Sequence, residues 1–317
     1  MKRFSIIAAA LALAACSAEA PDARAPQCAV SLLVLGVAQD AGKPQIGNPQ
    51  DPAWDDPSLR RLAASLGLID RRGGAPKRWL IDATPDIKEQ LHRVNLAAPT
   101  DAPAQVDGIF LTHAHIGHYA GRMMFGREAA GAEDIQVFAM PRMADFLMKN
   151  GPWSQLLVIH NIYLAIMEDG GAEPLGDGLS VTPFLVPHRQ EFSEVAGFII
   201  QGPEKSALYL PDIDSWEAWD KDGTRIEDKI AGVDIAFLDA TFYSGDELPG
   251  RNMATIPHPT VVHSMERFAS LPAAEKAKIR FIHMNHTNPL LVPGSREREA
   301  VEKAGFGVAE EREKICL

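Results

Sequence analysis

Three histidines within six residues constrain this chain more than any other feature of its sequence. They are His113, His115 and His118, and the apolar residues 108–111 stand directly before them. The apolar run predicts a buried strand, and the histidines follow it in a tight turn that leads into a helix. Imidazole nitrogens at such a turn can converge on one point and bind zinc or a neighbouring transition metal. The turn therefore predicts a metal site at the end of a strand.

Strand and helix patterns alternate along the rest of the chain. Strands are predicted at residues 29–36, 78–82, 135–139, 179–186, 196–200, 207–210, 233–239 and 279–283, and helices at 59–68, 85–94, 141–149, 258–268 and 295–304. Such alternation favours an α/β fold in which helices cover sheets. Functional residues of α/β folds gather at the carboxyl ends of strands.

Further polar residues stand next to those predicted strand ends. They are His188, Asp212, Asp239, His258, His283 and His286. Each alone has an ordinary explanation, since a lone histidine is commonly a surface residue and an aspartate commonly caps a helix or turn. Their order along the chain, together with the histidine turn, points instead to one shared site.

The N-terminus has the pattern of an export signal. Lys2 and Arg3 precede an apolar core at residues 4–13, and Leu-Ala-Ala-Cys ends at Cys16. This ending resembles the lipobox of bacterial lipoproteins, which implies a lipid on Cys16; an ordinary signal cleaved after small residues is the alternative. We therefore predict a signal peptide at 1–16, a tether at 17–28 and one domain at 29–317. The protein is expected in the periplasm, held to a bacterial membrane by the lipid alone.

Charge and cysteine content narrow the expected partners and compartment. The 317 residues carry 42 acidic and 31 basic side chains, a net charge of −11, which argues against nucleic acid as a partner and leaves a small-molecule substrate. Beyond Cys16 only Cys28 and Cys316 remain. In an oxidising periplasm they could pair, or both could stay free. The chain has no CxxC pair, which excludes a structural cysteine–zinc site.

The polar residues also carry a family resemblance. The motif at 113–118, followed by His188, Asp212 and His283, resembles the ligand series of the metallo-β-lactamase superfamily. Residues 238–242 and 257–259 are similar to its phosphodiesterase and tRNase Z branch, and residues 36–45, 83–87 and 283–289 resemble the protein B family of pyrroloquinoline quinone synthesis. The resemblance implies an αββα sandwich with the metal site at the ends of the two sheets.

The resemblance also implies a ligand set with one departure. His113, His115 and His188 with Asp212 would hold a first zinc ion, and His118 and His283 with the same aspartate a second, while His286 remains an alternative to His283. The superfamily usually has an aspartate before the third histidine, where this chain has Gly117. One zinc ion is therefore predicted and a second is in doubt, with manganese and iron as alternative metals.

The implied chemistry is hydrolysis of a phosphodiester or another ester-like bond. A divalent metal lowers the pKa of bound water from 15.7 to about 7, which yields hydroxide at neutral pH. His258 is the expected general acid or oxyanion partner, and Asp239 is expected to orient a histidine. The alternatives are a non-catalytic or cofactor-handling protein, in which the site with Gly117 holds a ligand without cleaving it, and hydrolysis of a lactam. The segment around Asn48 lacks the cysteines of the quinone-synthesis family, which is a second departure from the resemblance.

Overall fold

A computed structural model describes residues 28–317 of the chain. The strands are β1 Val30–Gly36, β2 Ser65–Asp70, β3 Lys77–Ile81, β4 Gly108–Phe110, β5 Ile135–Ala139, β6 Ile162–Ile166, β7 Glu173–Gly176, β8 Leu179–Leu185, β9 Ala196–Gln201, β10 Ser206–Leu210, β11 Ile235–Asp239, β12 Ile279–Ile282, β13 Gly307–Val308 and β14 Lys314–Cys316. The helices are α1 Ile87–Ala97, α2 Ile116–Tyr119, α3 Pro141–Lys149, α4 Trp153–Val158, α5 Trp216–Lys221, α6 Ile226–Ala231, α7 Val261–Arg267, α8 Ala273–Lys276 and α9 Arg296–Lys303.

The strands form two sheets of seven strands each. One sheet has the order β14-β1-β2-β3-β4-β5-β6 and the other has the order β13-β12-β11-β10-β9-β8-β7. Strands β3 to β6 pair in parallel in the first sheet, and β10 to β13 do so in the second. The predicted sandwich of two sheets flanked by helices is thereby confirmed.

The alternation of side chains along β1 shows how the layers are held together. Leu32 and Val34 join the core between the two sheets, whereas Leu33 and Leu35 join a second core beneath the helices on the outer face of the first sheet. Successive side chains of a strand point to opposite faces, so a wholly apolar strand can support both cores. Both faces of the first sheet are thus buried at β1, so this strand is packed between the two cores.

The helix predicted at residues 59–68 is wrong. These residues form one 3₁₀ turn, Pro57–Leu59, and then enter β2, which is buried along its whole length and pairs with β1 and β3. Apolar residues on both faces of a strand can imitate helical spacing in a short segment. Here the hydrogen bonds of β2 to β1 and β3 outweigh that weak helical preference.

The chain termini of the described region are joined. Cys28 and Cys316 form a disulfide with their Cα atoms 5.3 Å apart, which decides between the two alternatives for these cysteines. The predicted signal peptide, with Cys16, and the tether up to residue 27 lie outside the described residues. Within the described part of the chain, no helix is long and apolar enough to cross a bilayer.

Candidate metal centre

The predicted site residues meet where strands of both sheets end. His113, His115 and His118 follow β4, and His115 is the N-cap of α2. His188 follows β8, Asp212 follows β10 and His283 follows β12. Because the two sheets face each other, these loops converge at one edge of the sandwich.

The converging side chains form two groups of ligand atoms with Asp212 between them. The first, which we call the imidazole group, contains His113, His115 and His188. The second, which we call the mixed group, contains His118, His283 and Asp40, a residue that the sequence did not nominate. Within each group the potential ligand atoms lie within 4.8 Å of one another.

Asp212 lies at contact distance from both groups. Its Oδ2 is 2.9 Å from Nε2 of His118, 3.3 Å from Nε2 of His283 and 3.8 Å from Nε2 of His113, and its Oδ1 is 3.7 Å from Nε2 of His188. Atoms that share a tetrahedral zinc ion at 2.0–2.2 Å lie about 3.3–3.6 Å apart. The spacing around Asp212 thus brackets the separation of atoms that bind a common cation.

The inward-facing atoms of the site make no well-aligned hydrogen bond with any described residue, although Oδ2 of Asp212 and Nε2 of His118 lie 2.9 Å apart. These buried atoms are Oδ2 of Asp212 and Nε2 of four histidines, namely His113, His118, His188 and His283. Leaving a buried polar atom unpaired costs about 1–3 kcal/mol, and folds generally avoid that cost. Five such atoms pointing into one space fit a bound metal ion.

The other ring nitrogens of these histidines are held from outside. Nδ1 of His118 contacts Oδ2 of Asp82 at 2.7 Å, and Nδ1 of His188 contacts Oδ1 of Asp214 at 2.8 Å. The Thr112 hydroxyl lies 3.0 Å from Nδ1 of His113, and the Thr241 hydroxyl lies 3.1 Å from Nδ1 of His283. Such outer partners fix the ring and leave Nε2 free for a metal.

These outer partners escaped the sequence prediction, although three left a signal. Asp82 directly follows β3 and Thr241 stands two residues beyond β11. Asp214 lies two residues beyond Asp212. Thr112 lies inside the histidine motif, but nothing in the motif marks its hydroxyl as a partner.

The electrostatic environment of the site distinguishes its histidines. Burial, with the neighbouring His118, lowers the pKa of His113 well below its ordinary value, and burial also lowers the pKa of His283. Burial opposes protonation of His118 too, but the charges of Asp82 and Asp212 outweigh it and raise the pKa of His118 well above its ordinary value. A cation in the site would meet the same two carboxylates, so the surroundings of His118 favour positive charge.

Asp212 itself is kept ionised by its neighbours. Burial alone would raise the pKa of Asp212, but His283 and His118 outweigh burial and hold it well below its ordinary value. A buried carboxylate is stable only when positive charge compensates it. Asp212 therefore supplies a permanent negative charge between the two groups.

His258 lies beside the centre and is oriented by Asp239. Nδ1 of His258 is 2.8 Å from Oδ2 of Asp239 and 3.7 Å from Oδ1 of Asp212. Asp239 in turn accepts hydrogen bonds from the backbone N–H of Ile213 and of Thr241. Burial alone would lower the pKa of His258, but the charge of Asp239 outweighs burial and raises it. This places Asp239 as the carboxylate that orients the His258 imidazole and favours its protonated form.

His286 does not join either group. Its Nδ1 lies 3.3 Å from Nδ2 of Asn48, and its backbone carbonyl accepts a hydrogen bond from Nζ of Lys43. Among the described residues, His283 is the histidine of this segment that the fold brings to Asp212. The geometry thus favours His283 of the two candidates.

Backbone strain accompanies the site. Asp40, Asp82 and His283 adopt positive φ angles of 32°, 67° and 64°. Positive φ is unfavourable for residues other than glycine, with asparagine, aspartate and histidine the most tolerant, and such strain clusters at functional sites. Asp40 and His283 belong to the mixed group and Asp82 contacts it. The other positive-φ residues besides glycine in the described region lie outside both groups; they are Asp134, His160 and Arg312.

The comparisons with known proteins agree with this fold and site. Residues 77–314 match the family described as the Beta-lactamase superfamily domain. The match covers most of the chain, and the chain belongs to this family.

Individual proteins and solved structures are similar to this chain over most of its length. Coenzyme PQQ synthesis protein B of Methylobacterium sp. (strain 4-46) is 26% identical over 321 residues, covering 90% of this chain and 99% of that protein. Zn(2+)-bound PqqB from Methylobacterium extorquens superposes with a TM-score of 0.73 at 22% identity, over 90% of this chain and all of that one. A diphosphatase from the PhnP family gives 0.61 at 24% identity, over 91% and 98%. The chain has PqqB-like and PhnP-like neighbours.

Proposed function

We propose that this protein is a zinc-dependent hydrolase of a small molecule and cleaves a phosphodiester or another ester-like bond. One observation carries the proposal: five buried polar atoms without well-aligned hydrogen bonds converge at the strand ends, beside a histidine that a buried carboxylate orients. A purely structural cluster would pair such atoms with one another, whereas Nε2 of His113 and of His188 lie 3.7–3.8 Å from the nearest Asp212 oxygen. A diphosphatase from the PhnP family shares this fold, which supports a phosphate-containing substrate.

The residues divide the chemical work between them. Zinc, held by the imidazole group and Asp212, would supply a Lewis acid and a water of lowered pKa. His258 is placed to donate a proton to the leaving group, because Asp239 orients its imidazole and favours the protonated form. General acid catalysis of this kind contributes about 10²–10⁴-fold to a rate.

Positive charge at the rim of the site suits an anionic substrate. Arg189 follows His188, is exposed, and its charge acts on His258. Lys43 donates a hydrogen bond to the backbone carbonyl of His286, three residues beyond His283. An acidic side chain, that of Glu191, also lies here, 3.3 Å from Nε2 of His115. In a chain of net charge −11, such local cations favour phosphate-containing substrates over neutral ones. The overall acidity leaves nucleic acid an improbable substrate.

Metal content and turnover test the proposal together. The purified protein is dialysed, its metals are measured, and its hydrolysis of bis(p-nitrophenyl) phosphate, p-nitrophenyl acetate and a chromogenic lactam is followed. We expect bound zinc and turnover of the phosphodiester, loss of both with a chelator, and recovery on adding zinc. Preference for the lactam would replace the assigned substrate class, and bound zinc without any turnover would contradict hydrolysis.

A cofactor-handling role is the second candidate, and the full-length similarity to coenzyme PQQ synthesis protein B favours it. In that case the site would bind a ligand near the metal without cleaving it. Equilibrium binding of pyrroloquinoline quinone to the zinc-loaded protein, measured beside the chromogen assays, separates the candidates. Tight binding without turnover would support this second function.

We also propose that the protein is exported and lipid-anchored through Cys16. The pattern of residues 1–16 supports export, and so does the Cys28–Cys316 disulfide, because disulfides persist in oxidising compartments. Expression with a labelled fatty acid should label the wild type and not a Cys16→Ala variant. Label in neither would exclude the anchor while leaving a cleaved signal as the alternative.

A further inference from the structure

The turn after β1, near the start of the described region, places the carboxylate of Asp40 beside the histidine motif. Asp40 lies four residues beyond β1, and its Oδ1 is 3.6 Å from Nε2 of His118. The carboxylate accepts no hydrogen bond from any residue of the described region, and its ligand atom lies within 4.8 Å of those of His118 and His283. Asp40 thus faces the two imidazoles without another partner.

The backbone holds this turn in place. The N–H of Gln39 donates to the carbonyl of Met284 at 2.8 Å, and the N–H of Met284 donates to the carbonyl of Val37 at 2.9 Å. Met284 directly follows His283. These two hydrogen bonds, both made by residues just before Asp40, therefore tie the turn to the strand end that carries His283.

Gly117 is the residue that allows Asp40 to approach. A Cβ atom at position 117 would lie 2.1 Å from Oδ1 of Asp40 and 2.4 Å from its Cα. Both distances are far inside van der Waals contact, so no other amino acid fits at 117 while Asp40 stays where it is. The glycine that looks in the sequence like a lost ligand is the space that the Asp40 side chain occupies.

We propose that Asp40 is a ligand of a second metal ion, which it binds together with His118, His283 and the shared Asp212. The donor set is two imidazoles and two carboxylates, a set that zinc and manganese both accept. Nε2 of each histidine is buried and makes no well-aligned hydrogen bond, as expected of a ligand atom. The carboxylate that is absent at 117 enters the same space from residue 40. This inference deepens the proposed function and rests on the metal centre described above.

Metal stoichiometry tests the assignment without relying on turnover. Wild type and Asp40→Asn are loaded with excess zinc, dialysed and analysed for zinc per chain, and the second equivalent is titrated against a competing chelator. Wild type should hold two equivalents. Asp40→Asn should keep the first and bind the second more than about 100-fold more weakly, because loss of an outer partner alone costs 10–100-fold. Asp55→Asn, an exposed aspartate of the following loop, should match wild type.

An exchange of the two residues provides the decisive variant. Gly117→Asp alone should lose the second equivalent, since its side chain collides with Asp40. Asp40→Gly combined with Gly117→Asp should restore it, because the carboxylate then enters the same space from the other chain segment. The exchange also shows that a lost equivalent reflects the ligand and not misfolding.

The outcomes separate this inference from the proposed function. Two equivalents in Asp40→Asn, or a single equivalent in wild type at saturating zinc, would overturn the role of Asp40. Two equivalents in wild type and one in Asp40→Asn, with no chromogen turned over, would uphold the ligand and reject the hydrolase.

Discussion

The imidazole group and the mixed group lie on either side of one aspartate, yet they are built differently. The imidazole group contains three histidines and no carboxylate, and two of its members come from a single turn. The mixed group contains a carboxylate and takes each of its three members from a different loop. Asp212 serves both, which couples the groups electrostatically. The comparison indicates a site of imidazoles taken mostly from one turn, and a carboxylate-containing site assembled from three separate loops.

The largest effect is expected when a ligand of the imidazole group is removed, which tests whether the imidazole group and the mixed group bind separate metal ions. His188→Ala should lose the first zinc ion and lower kcat/KM by about 10³-fold or more, since a metal supplies several kcal/mol of transition-state stabilisation and each 1.36 kcal/mol is tenfold. Zinc content and phosphodiester turnover measure it. His160→Ala, which alters an exposed histidine outside the site, is the control. Undiminished zinc in His188→Ala would show that His188 is not a ligand of the first zinc ion.

His258 should affect the rate and leave both groups loaded. His258→Gln is expected to lower kcat by about 10²–10³-fold, within the range for a general acid, with two zinc ions retained. His258 lies near Asp212 and His188, so a loss of zinc in this variant would make it a ligand instead.

The pH profile gives a further test of His258. An acid must be protonated to act, so the rate should fall as pH rises through the pKa of His258, which Asp239 raises above about 6.5 despite burial. In His258→Gln this alkaline limb should vanish. The same shift contributes stability below the unfolded value of about 6.5, and that contribution is lost as pH rises through the folded pKa. An alkaline limb that persists in the variant would assign it to another group.

Part of the candidate metal site could be predicted from the sequence, because several of its residues are close together along the chain. His113, His115 and His118 fall on one turn, so their convergence needs only the geometry of a strand followed by a helix. His188 and His283 could be placed at strand ends from apolar runs alone. The error at residues 59–68 did not matter for the site, since β2 contributes no ligand atom to either group.

Asp40 could not be predicted in the same way. Its contact with Gly117 joins residues 77 positions apart, and it depends on hydrogen bonds between the β1 turn and the residue after His283. No periodicity encodes such a contact. In the sequence, Gly117 indicates only that a ligand is missing. The structure shows that the Asp40 side chain occupies the space beside it.

The outer carboxylates allow each group to be weakened separately. Asp214→Asn should weaken the first zinc ion and Asp82→Asn the second, each by about 10–100-fold, because each aspartate holds Nδ1 of one ligand histidine. Competition titrations of the two equivalents measure both. Asp82 also accepts hydrogen bonds from Thr112, so its variant should be less stable as well. Equal weakening of both equivalents in either variant would mean that Asp212 couples the groups more strongly than their separate geometry suggests.

The disulfide should affect the two groups least. Cys28 precedes β1, whereas Asp40 follows its opposite end, so the bridge lies a full strand length away from the mixed group. Replacing both cysteines by serine should lower the free energy of unfolding by about 2–5 kcal/mol and leave two zinc ions bound. Urea unfolding with and without reductant measures the loss, and reductant should produce it in wild type alone. A variant that loses only the second zinc ion would show that the mixed group depends on the chain ends, whereas the imidazole group does not.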